Sequence, residues 1–375
     1  MPLTKQIDPQ ASVPALSAIW KDPDYDEEMR FHPPKFERDV YRQAGKWLVE
    51  EWHGPQPFTA GFGALFDWRG SHAYPLKKFS EILKRKTLAV CPDPILSRRL
   101  KRTLSILHKL DRFPRLNLTT IQDIAGLRAV VNTVGQARSL RDAFLSQKPD
   151  EFSHERILHR DYIDEPKDSG YRGIHLVYGY RNQKFPGYDG LRLEIQIRTK
   201  VQHYWATAVE TASSLLKASL KESKGPNSWL VFFSIAADAF ARREGCAGHH
   251  QYDYMTDREL FGRTVAIAEA LRLRQYLEGC NAAARYINES KRDGFALVVL
   301  NVDVPKVEIT YFSPNQQSAA YEAYSETEQA NIQNESVQAV LISHDETLAL
   351  SLAYPNLFLD TSGFMDQFYD LYQLV

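Results

Sequence analysis

The segment Leu191–Thr199, LRLEIQIRT, alternates without a break. Successive side chains of an extended strand point to opposite faces. Leu191, Leu193, Ile195 and Ile197 therefore share one side, and Arg192, Glu194, Gln196 and Arg198 the other. A chain carrying this segment must bury one face of a strand and keep a polar face opposite, with Glu194 between two arginines. A solvent-facing strand with paired charges gives the same pattern, so the segment dictates an element and no chemistry. A second strand, LRAVV (Leu127–Val131), follows IQDIAG and places Asp123 just before it. One carboxylate at a strand entrance and another in mid-strand suit a shared magnesium ion. Magnesium takes oxygen ligands, typically one or two carboxylates plus substrate phosphates. Phosphoryl transfer uses such an ion to neutralise charge and align the reacting oxygens.

Composition narrows the class. An apolar share of 43% and a charged share of 25% over 375 residues describe an ordinary globular protein with room for two or three domains. The net charge of -1 means that affinity for nucleotides or nucleic acid must come from a local patch. Cys91, Cys246 and Cys280 are far apart, which argues against zinc and a disulfide framework and fits a reducing cytoplasm. The opening MPLTKQIDPQ lacks the charged-then-apolar run of a signal peptide, and no apolar stretch reaches membrane-spanning length. A cytoplasmic protein without membrane contact is expected.

Charge is nonetheless uneven. Lys77, Lys78, Lys84, Arg85, Lys86, Arg98, Arg99, Lys101, Arg102, Lys109, Arg112 and Arg115 crowd one stretch, whereas beyond Asn301 only Lys306 is basic. Either the acidic end covers the basic part or both are solvated faces. Four regions are expected: a helical one over 1–71, containing YRQAGKWLVEEW; alternating helices and strands over 72–224; a helical segment over 225–293; and a small acidic α/β region over 294–375, with strands FALVVLNVDV, KVEITYF and VQAVLIS. SETEQANIQNES (Ser325–Ser336) reads as a polar loop or helix end. The fold class is α/β (α+β), a mixed sheet flanked by helices.

Two further segments suit a nucleotide. Placed on a helix, RLKRTLSILHKL (Arg99–Leu110) sets its leucines on one side and Lys101, Arg102, Ser105, His108 and Lys109 on the other, with Arg99 at the helix start. Such a stripe suits a polyphosphate, and it equally describes an exposed helix surface. In DYIDEPKDSGYRGIH (Asp161–His175), Pro166 and Gly170 mark a turn, Lys167 supplies a cation, Tyr171 an aromatic plane, and Gly173 a close backbone approach. Base stacking with a phosphate contact fits this loop. An ordinary loop with a packed tyrosine fits it too.

Together these segments resemble the RelA/SpoT synthetase domain. Arg99, Lys101, Ser105-Ile106 and Lys109 match its first motif. Asp123, Gly126 and Arg128 match the second, and Gly170, Tyr171 and His175, with Lys167 upstream, the third. Glu194, Gln196, Arg198, Thr199, Trp205 and Ala206 match the last, with Glu210 further along. The likeness covers about residues 72–215 and departs at Gly173, where serine is common, and at Thr211, where histidine is common. It implies a nucleotidyltransferase-like sheet. It implies that Arg99, Lys101 and Lys109 contact ATP, and that Asp123 and Glu194 bind Mg2+, with Glu194 able to take the proton of an attacking 3′-hydroxyl. Tyr171 is implied to stack on the acceptor base, and Lys167, His175 and Arg198 to hold phosphate oxygens.

The expected activity is transfer of the β,γ-pyrophosphate of ATP to GDP or GTP. No His-Asp-x-x-Glu-Asp sequence occurs; His344-Asp345 is followed by Glu-Thr-Leu-Ala, so hydrolysis is not expected. A toxin of the same family acting on the 3′ end of tRNA or making adenosine alarmones is the alternative, with a regulatory protein acting on the C-terminal region. A non-catalytic nucleotide sensor is the third reading; the intact set of Asp123, Glu194 and Tyr171 speaks against it.

Overall fold

The strand patterns assemble into two sheets, distributed over two units. The structure, a computed structural model, describes residues 31–52, 60–101, 103–147, 152–215, 226–275, 277, 294–301, 306–330, 337–343 and 361–375. One unit holds the described residues up to Asp161 together with Gly173–Thr199. The other holds Tyr162–Arg172 and the described residues from Lys200 onward.

In the first unit the elements run α1 (Arg38–Trp52), α2 (Ala60–Ser71), α3 (Ala73–Val90), β1 (Ile95–Leu100), α4 (Thr103–Arg112), β2 (Ala125–Val131), α5 (Val134–Leu145), β3 (Glu155–Asp161), β4 (Ile174–Gly179) and β5 (Arg192–Thr199). The sheet order is β1-β2-β5-β4-β3. β2 and β5 are parallel, and the other neighbours antiparallel. The alternation of the sequence sets this register. Leu127, Ile195 and Leu176 form one apolar row, and Ala129, Ile197 and Ile174 the next; all are buried. Burying each large side chain contributes roughly 1.5–3 kcal/mol, and a one-residue slip would drive Glu194 into the core. Helices α3 and α5 pack against β2 and against each other. They bury Leu76, Phe79 and Leu83 on α3, and Ala137, Leu140 and Phe144 on α5. A reciprocal capping box of Thr133 and Gln136 starts α5.

In the second unit, the loop Tyr162–Arg172 accompanies α6 (Lys200–Leu215), α7 (Asn227–Arg243) and α8 (Asp257–Ala270). Strands β6 (Phe295–Asn301), β7 (Lys306–Phe312) and β8 (Val337–Ser343) make an antiparallel sheet ordered β7-β6-β8, joined by α9 (Gln317–Ala330). Helix α10 (Ser362–Tyr372) packs with α6 and α8. Trp205, Phe232, Phe233, Phe240, Leu260 and Phe364 share the helical core.

Several expectations change in detail. Arg99–Leu110 is not one helix. Arg99 and Leu100 end β1, where Arg99 pairs with Gly126 and the Lys101 N–H donates to the Ile124 carbonyl at 2.7 Å; the helix starts at Thr103. The leucine spacing suited a helix, but the ladder offered by β2 takes Arg99 and Leu100. Arg102 lies outside the described residues. The helical pattern after Arg258 breaks at Arg272, which adopts φ 49°, so α8 stops at Ala270. The first half of SETEQANIQNES ends α9, and its remainder lies outside the described residues, as does His344-Asp345. In α10, Tyr372 donates to Glu269 at 2.7 Å, the Arg274 guanidinium lies 5.5 Å from the Tyr369 ring centroid, and Asp370 pairs with Arg243 at 2.8 Å. Tyr369 and Tyr372 thus end a helix packed within its own unit.

Candidate active site

The polar face of the first sheet collects the charged residues by register alone. Arg99 on β1, Gly126 on β2 and Glu194 on β5 stand in one row. Arg128, Gln196 and His175 stand in the next. Two strand spacings separate β1 from β5, roughly 10 Å. Gly126 carries no side chain between them, and a Cβ there would meet only the Arg99 carbonyl oxygen, at 3.7 Å. The row is therefore a floor bordered by a guanidinium and a carboxylate.

Asp123 sits two residues before β2 and is gripped by both lysines of the basic segment. Lys101 Nζ donates to its Oδ2 at 2.9 Å, and Lys109 Nζ to its Oδ1 at 2.8 Å. Burial works against ionising this carboxyl, but the two ammonium charges and their hydrogen bonds outweigh it and hold Asp123 below the usual carboxylate range. Lys101 comes from the end of β1 and Lys109 from α4, whose Ile106, Leu107 and Leu110 are buried. The break between strand and helix thus brings the two lysines to one carboxylate from different elements.

Glu194 has a different environment. His175 Nδ1 lies 2.8 Å from its Oε1, and Gln196 Nε2 donates to its Oε2 at 2.7 Å. A carboxylate only accepts, so the His175 Nδ1 carries the proton. Burial pushes the Glu194 carboxyl up, and the His175 bond and charge, then Gln196, bring it below its ordinary range; Asp123 pushes the other way. Arg198, 4% exposed, donates to Gln196 Oε1 at 3.1 Å. Arg99, exposed at the end of β1, feels the negative charges of Asp123 and Glu194 and the positive charge of Arg198. Arg99, Lys101, Lys109, Asp123, His175, Glu194 and Arg198 therefore form one electrostatic cluster. Gln196, absent from the candidate set, bridges Glu194 to Arg198, and its place between them in LRLEIQIRT was the available signal.

Lys167 and Tyr171 belong to the second unit. Lys167-Asp168-Ser169-Gly170 is a turn: the Gly170 N–H donates to the Lys167 carbonyl at 2.7 Å, and Gly170 has φ +85°. Lys167 Nζ lies 5.0 Å from the Tyr171 ring centroid and 4.5 Å from that of Tyr162. Tyr171 is 7% exposed, near Trp205, so the ring expected to stack on a base is packed in this structure. Gly173 has φ +148°, a region that serine rarely adopts. That accounts for glycine where serine is common in the resembled motif. Thr211 is buried and donates to the Thr207 carbonyl of its own helix at 3.1 Å.

Asp123 and Glu194 offer carboxylate oxygens, the donor chemistry magnesium takes; in this structure those oxygens meet Lys101, Lys109, His175 and Gln196. Asp123 and Glu194 are both held below the ordinary carboxyl range, and Glu194 feels the charge of Asp123. Among the described residues no group of three or more histidine, cysteine, aspartate or glutamate side chains is arranged to hold a metal. Magnesium typically takes one or two carboxylates, with phosphates and water completing its shell.

Comparison with known proteins agrees with these motifs. Residues 98–218 match the region found in RelA / SpoT proteins. The chain is 38% identical over 118 residues to the GTP pyrophosphokinase YjbM of Bacillus subtilis, covering 31% of this chain and 54% of that protein. It is 32% identical over 139 residues to the GTP pyrophosphokinase YwaC of the same organism, covering 35% and 63%. The chain thus spans between half and two thirds of the length of these relatives. The crystal structure of small alarmone synthetase 1 from Bacillus subtilis bound to its product pppGpp aligns at TM-score 0.39 and 29% identity, over 48% of this chain and 93% of that one. The likeness of this chain to RelA / SpoT proteins thus lies in residues 98–218.

Proposed function

We propose that this chain is an ATP-dependent nucleotide pyrophosphokinase that transfers the β,γ-pyrophosphate of ATP to the ribose 3′-hydroxyl of GDP or GTP. One observation carries the reading. Two ionised carboxylates, Asp123 and Glu194, stand at neighbouring strands amid Lys101, Lys109 and Arg99, within a RelA/SpoT-type region. The acceptor's 3′-oxygen bonds to the β-phosphorus, the bond from that phosphorus to the α,β-bridging oxygen breaks, AMP leaves, and the hydroxyl proton is released. Such a reaction needs positioning and charge neutralisation more than a covalent nucleophile.

Asp123 and Glu194 would hold magnesium, which supplies charge neutralisation and alignment of phosphate oxygens. Lys101 and Lys109 exchange Asp123 for ATP phosphates, and Arg99 faces the same charge from β1. Glu194 accepts a hydrogen bond from the attacking hydroxyl and orients it. A carboxyl held below its ordinary range is a weak base, so orientation is its larger contribution. His175 fixes Glu194, and Arg198 steadies the row through Gln196. Tyr171 and Lys167 are assigned to the acceptor by their motif, four and eight residues before His175. The relatives YjbM and YwaC are GTP pyrophosphokinases, which supports a guanine nucleotide as acceptor. Among the described residues no helix is long and apolar enough to cross a membrane, and a cytoplasmic site of synthesis without hydrolysis completes the proposal.

The test is incubation with ATP labelled in the γ-phosphate, magnesium, and GDP, GTP, AMP, ADP or deacylated tRNA in separate reactions. Label on GDP or GTP is the expected outcome. Label on tRNA alone replaces the acceptor with a tRNA end. ATP binding without transfer to any acceptor refutes the enzyme reading.

A further inference from the structure

The loop Tyr162–Arg172 is held to α7 by a carboxylate outside the resembled motifs. Asp238 on α7 is 1% exposed and Arg172 is 4% exposed. Arg172 Nη2 lies 3.4 Å from Asp238 Oδ1, and Arg172 Nη1 donates to the Ile163 carbonyl at 2.9 Å. One guanidinium therefore closes the loop on itself and ties it to the helix. The same Asp238 accepts the His249 backbone N–H, and its Oδ2 lies 3.3 Å from Arg242 Nε. Arg242 in turn donates to the Tyr252 and Met255 carbonyls, each at 2.8 Å, and pairs with Asp257 at 2.9 Å. The carboxylate is thus clamped between two arginines that are themselves anchored.

Shape reinforces the charge. A Cβ on Gly170 would lie 2.6 Å from the Ala237 Cβ, so the loop backbone rests directly on α7. The Ser234 hydroxyl donates to the Asp168 carbonyl at 3.4 Å. Ser234, Ala237 and Asp238 are spaced i, i+3, i+4, one face of a helix, and they hold Asp168, Gly170 and Arg172 in turn. A buried ion pair is a poor device for stability alone, because an apolar replacement often serves as well. It is a good device for geometry. Arg172 directly follows Tyr171, so its orientation and that of the tyrosine share a peptide unit.

We propose that Asp238, acting through Arg172, is a positioning residue that sets affinity for the acceptor nucleotide by fixing the loop that carries Lys167 and Tyr171. The inference rests on the pyrophosphokinase reading and deepens it: α7 tunes acceptor binding and leaves ATP binding to the first unit's lysines.

The experiment uses the full chain with Asp238→Asn, which keeps the volume and removes the charge. A second variant, Ala237→Val, keeps the charges and enlarges α7 under Gly170. Apparent KM is measured for GDP, GTP and ATP, with kcat, binding of labelled ATP alone, and the melting temperature. Each variant is expected to raise the acceptor KM about tenfold or more while the KM and Kd for ATP stay within about twofold. Equal rises in acceptor and ATP KM, or a fall in kcat alone, overturn the inference. If Asp238→Asn does not fold, Ala237→Val decides by the same split. Absence of transfer by the wild type refutes the underlying reading. Transfer by the wild type with an unchanged acceptor KM in the folded variants refutes only the role of Asp238.

Discussion

Replacing Glu194 by glutamine separates chemistry from folding. The substitution keeps the shape of the side chain and removes its charge. His175 can still donate to the amide oxygen, but the amide NH2 then faces the Gln196 NH2 now bonded at 2.7 Å. One of two bonds to a charged acceptor is lost, and the other becomes neutral. A hydrogen bond to a charged group contributes about 1.5–3 kcal/mol, so a loss of about 2 kcal/mol of stability is expected near neutral pH. The sign with pH follows from the folded carboxyl lying below its ordinary value of 4.5. Its contribution is fully present above the unfolded value and disappears as pH falls through the lower folded value. Urea midpoints should therefore differ most at pH 7 and draw together as pH falls from the ordinary value of 4.5 through the lower folded value. Transfer should fall at least about a thousandfold, equivalent to about 4 kcal/mol of barrier. The assay is pyrophosphate transfer to GDP at saturating ATP, alongside urea unfolding at several pH values. Transfer within tenfold of wild type would falsify the placement of Glu194 in the reacting centre. A stability gap independent of pH would refute the account of its ionisation.

Other perturbations probe the remaining parts. Lys109→Met removes one of two cations from Asp123, so the ATP KM should rise at least several-fold. Asp123, held below its ordinary 3.8, contributes stability that is lost as pH falls through its folded value, and the variant should lose less in acid; urea midpoints at pH 7 and pH 3 measure this. Gly126→Val places a branched side chain in the row between Arg99 and Glu194, where a Cβ meets only one carbonyl oxygen at 3.7 Å. Melting should shift by no more than about 3 °C while transfer falls tenfold or more, and wild-type transfer would contradict the open floor. Removing divalent cations with EDTA should stop transfer without shifting the melting temperature by more than about 2 °C, because no three-ligand group exists among the described residues; a large shift would point to a structural metal.

Much of the site was legible because its logic is periodic. The alternation in Leu191–Thr199 implied a strand with Leu193, Ile195 and Ile197 inward, and those residues are buried beside a polar row that carries Glu194. Asp123 at a strand entrance was equally readable. Arg99 was not, because a leucine repeat also satisfies a helix, and only pairing with β2 shows that Arg99 and Leu100 extend a sheet. The open floor at Gly126 depends on register across three strands, which no local window contains. The cover over Tyr171 was hidden for a similar reason. Its packing comes from Trp205 and from a loop held by Asp238, far along the chain and outside any repeating pattern.

That distance orders the protein's synthesis. The ladder of the first sheet closes with Thr199, but the Arg172–Asp238 pair spans 66 positions. A ribosome adding about 5–20 residues per second makes Asp238 roughly 3–13 s after Arg172. For the last 39 of those positions, after Thr199, the strands of the first sheet have all been made and the loop still lacks its helix. A nascent chain can therefore complete the carboxylate row before its acceptor loop acquires an anchor, and the loop's last interactions form only once α7 has left the exit tunnel.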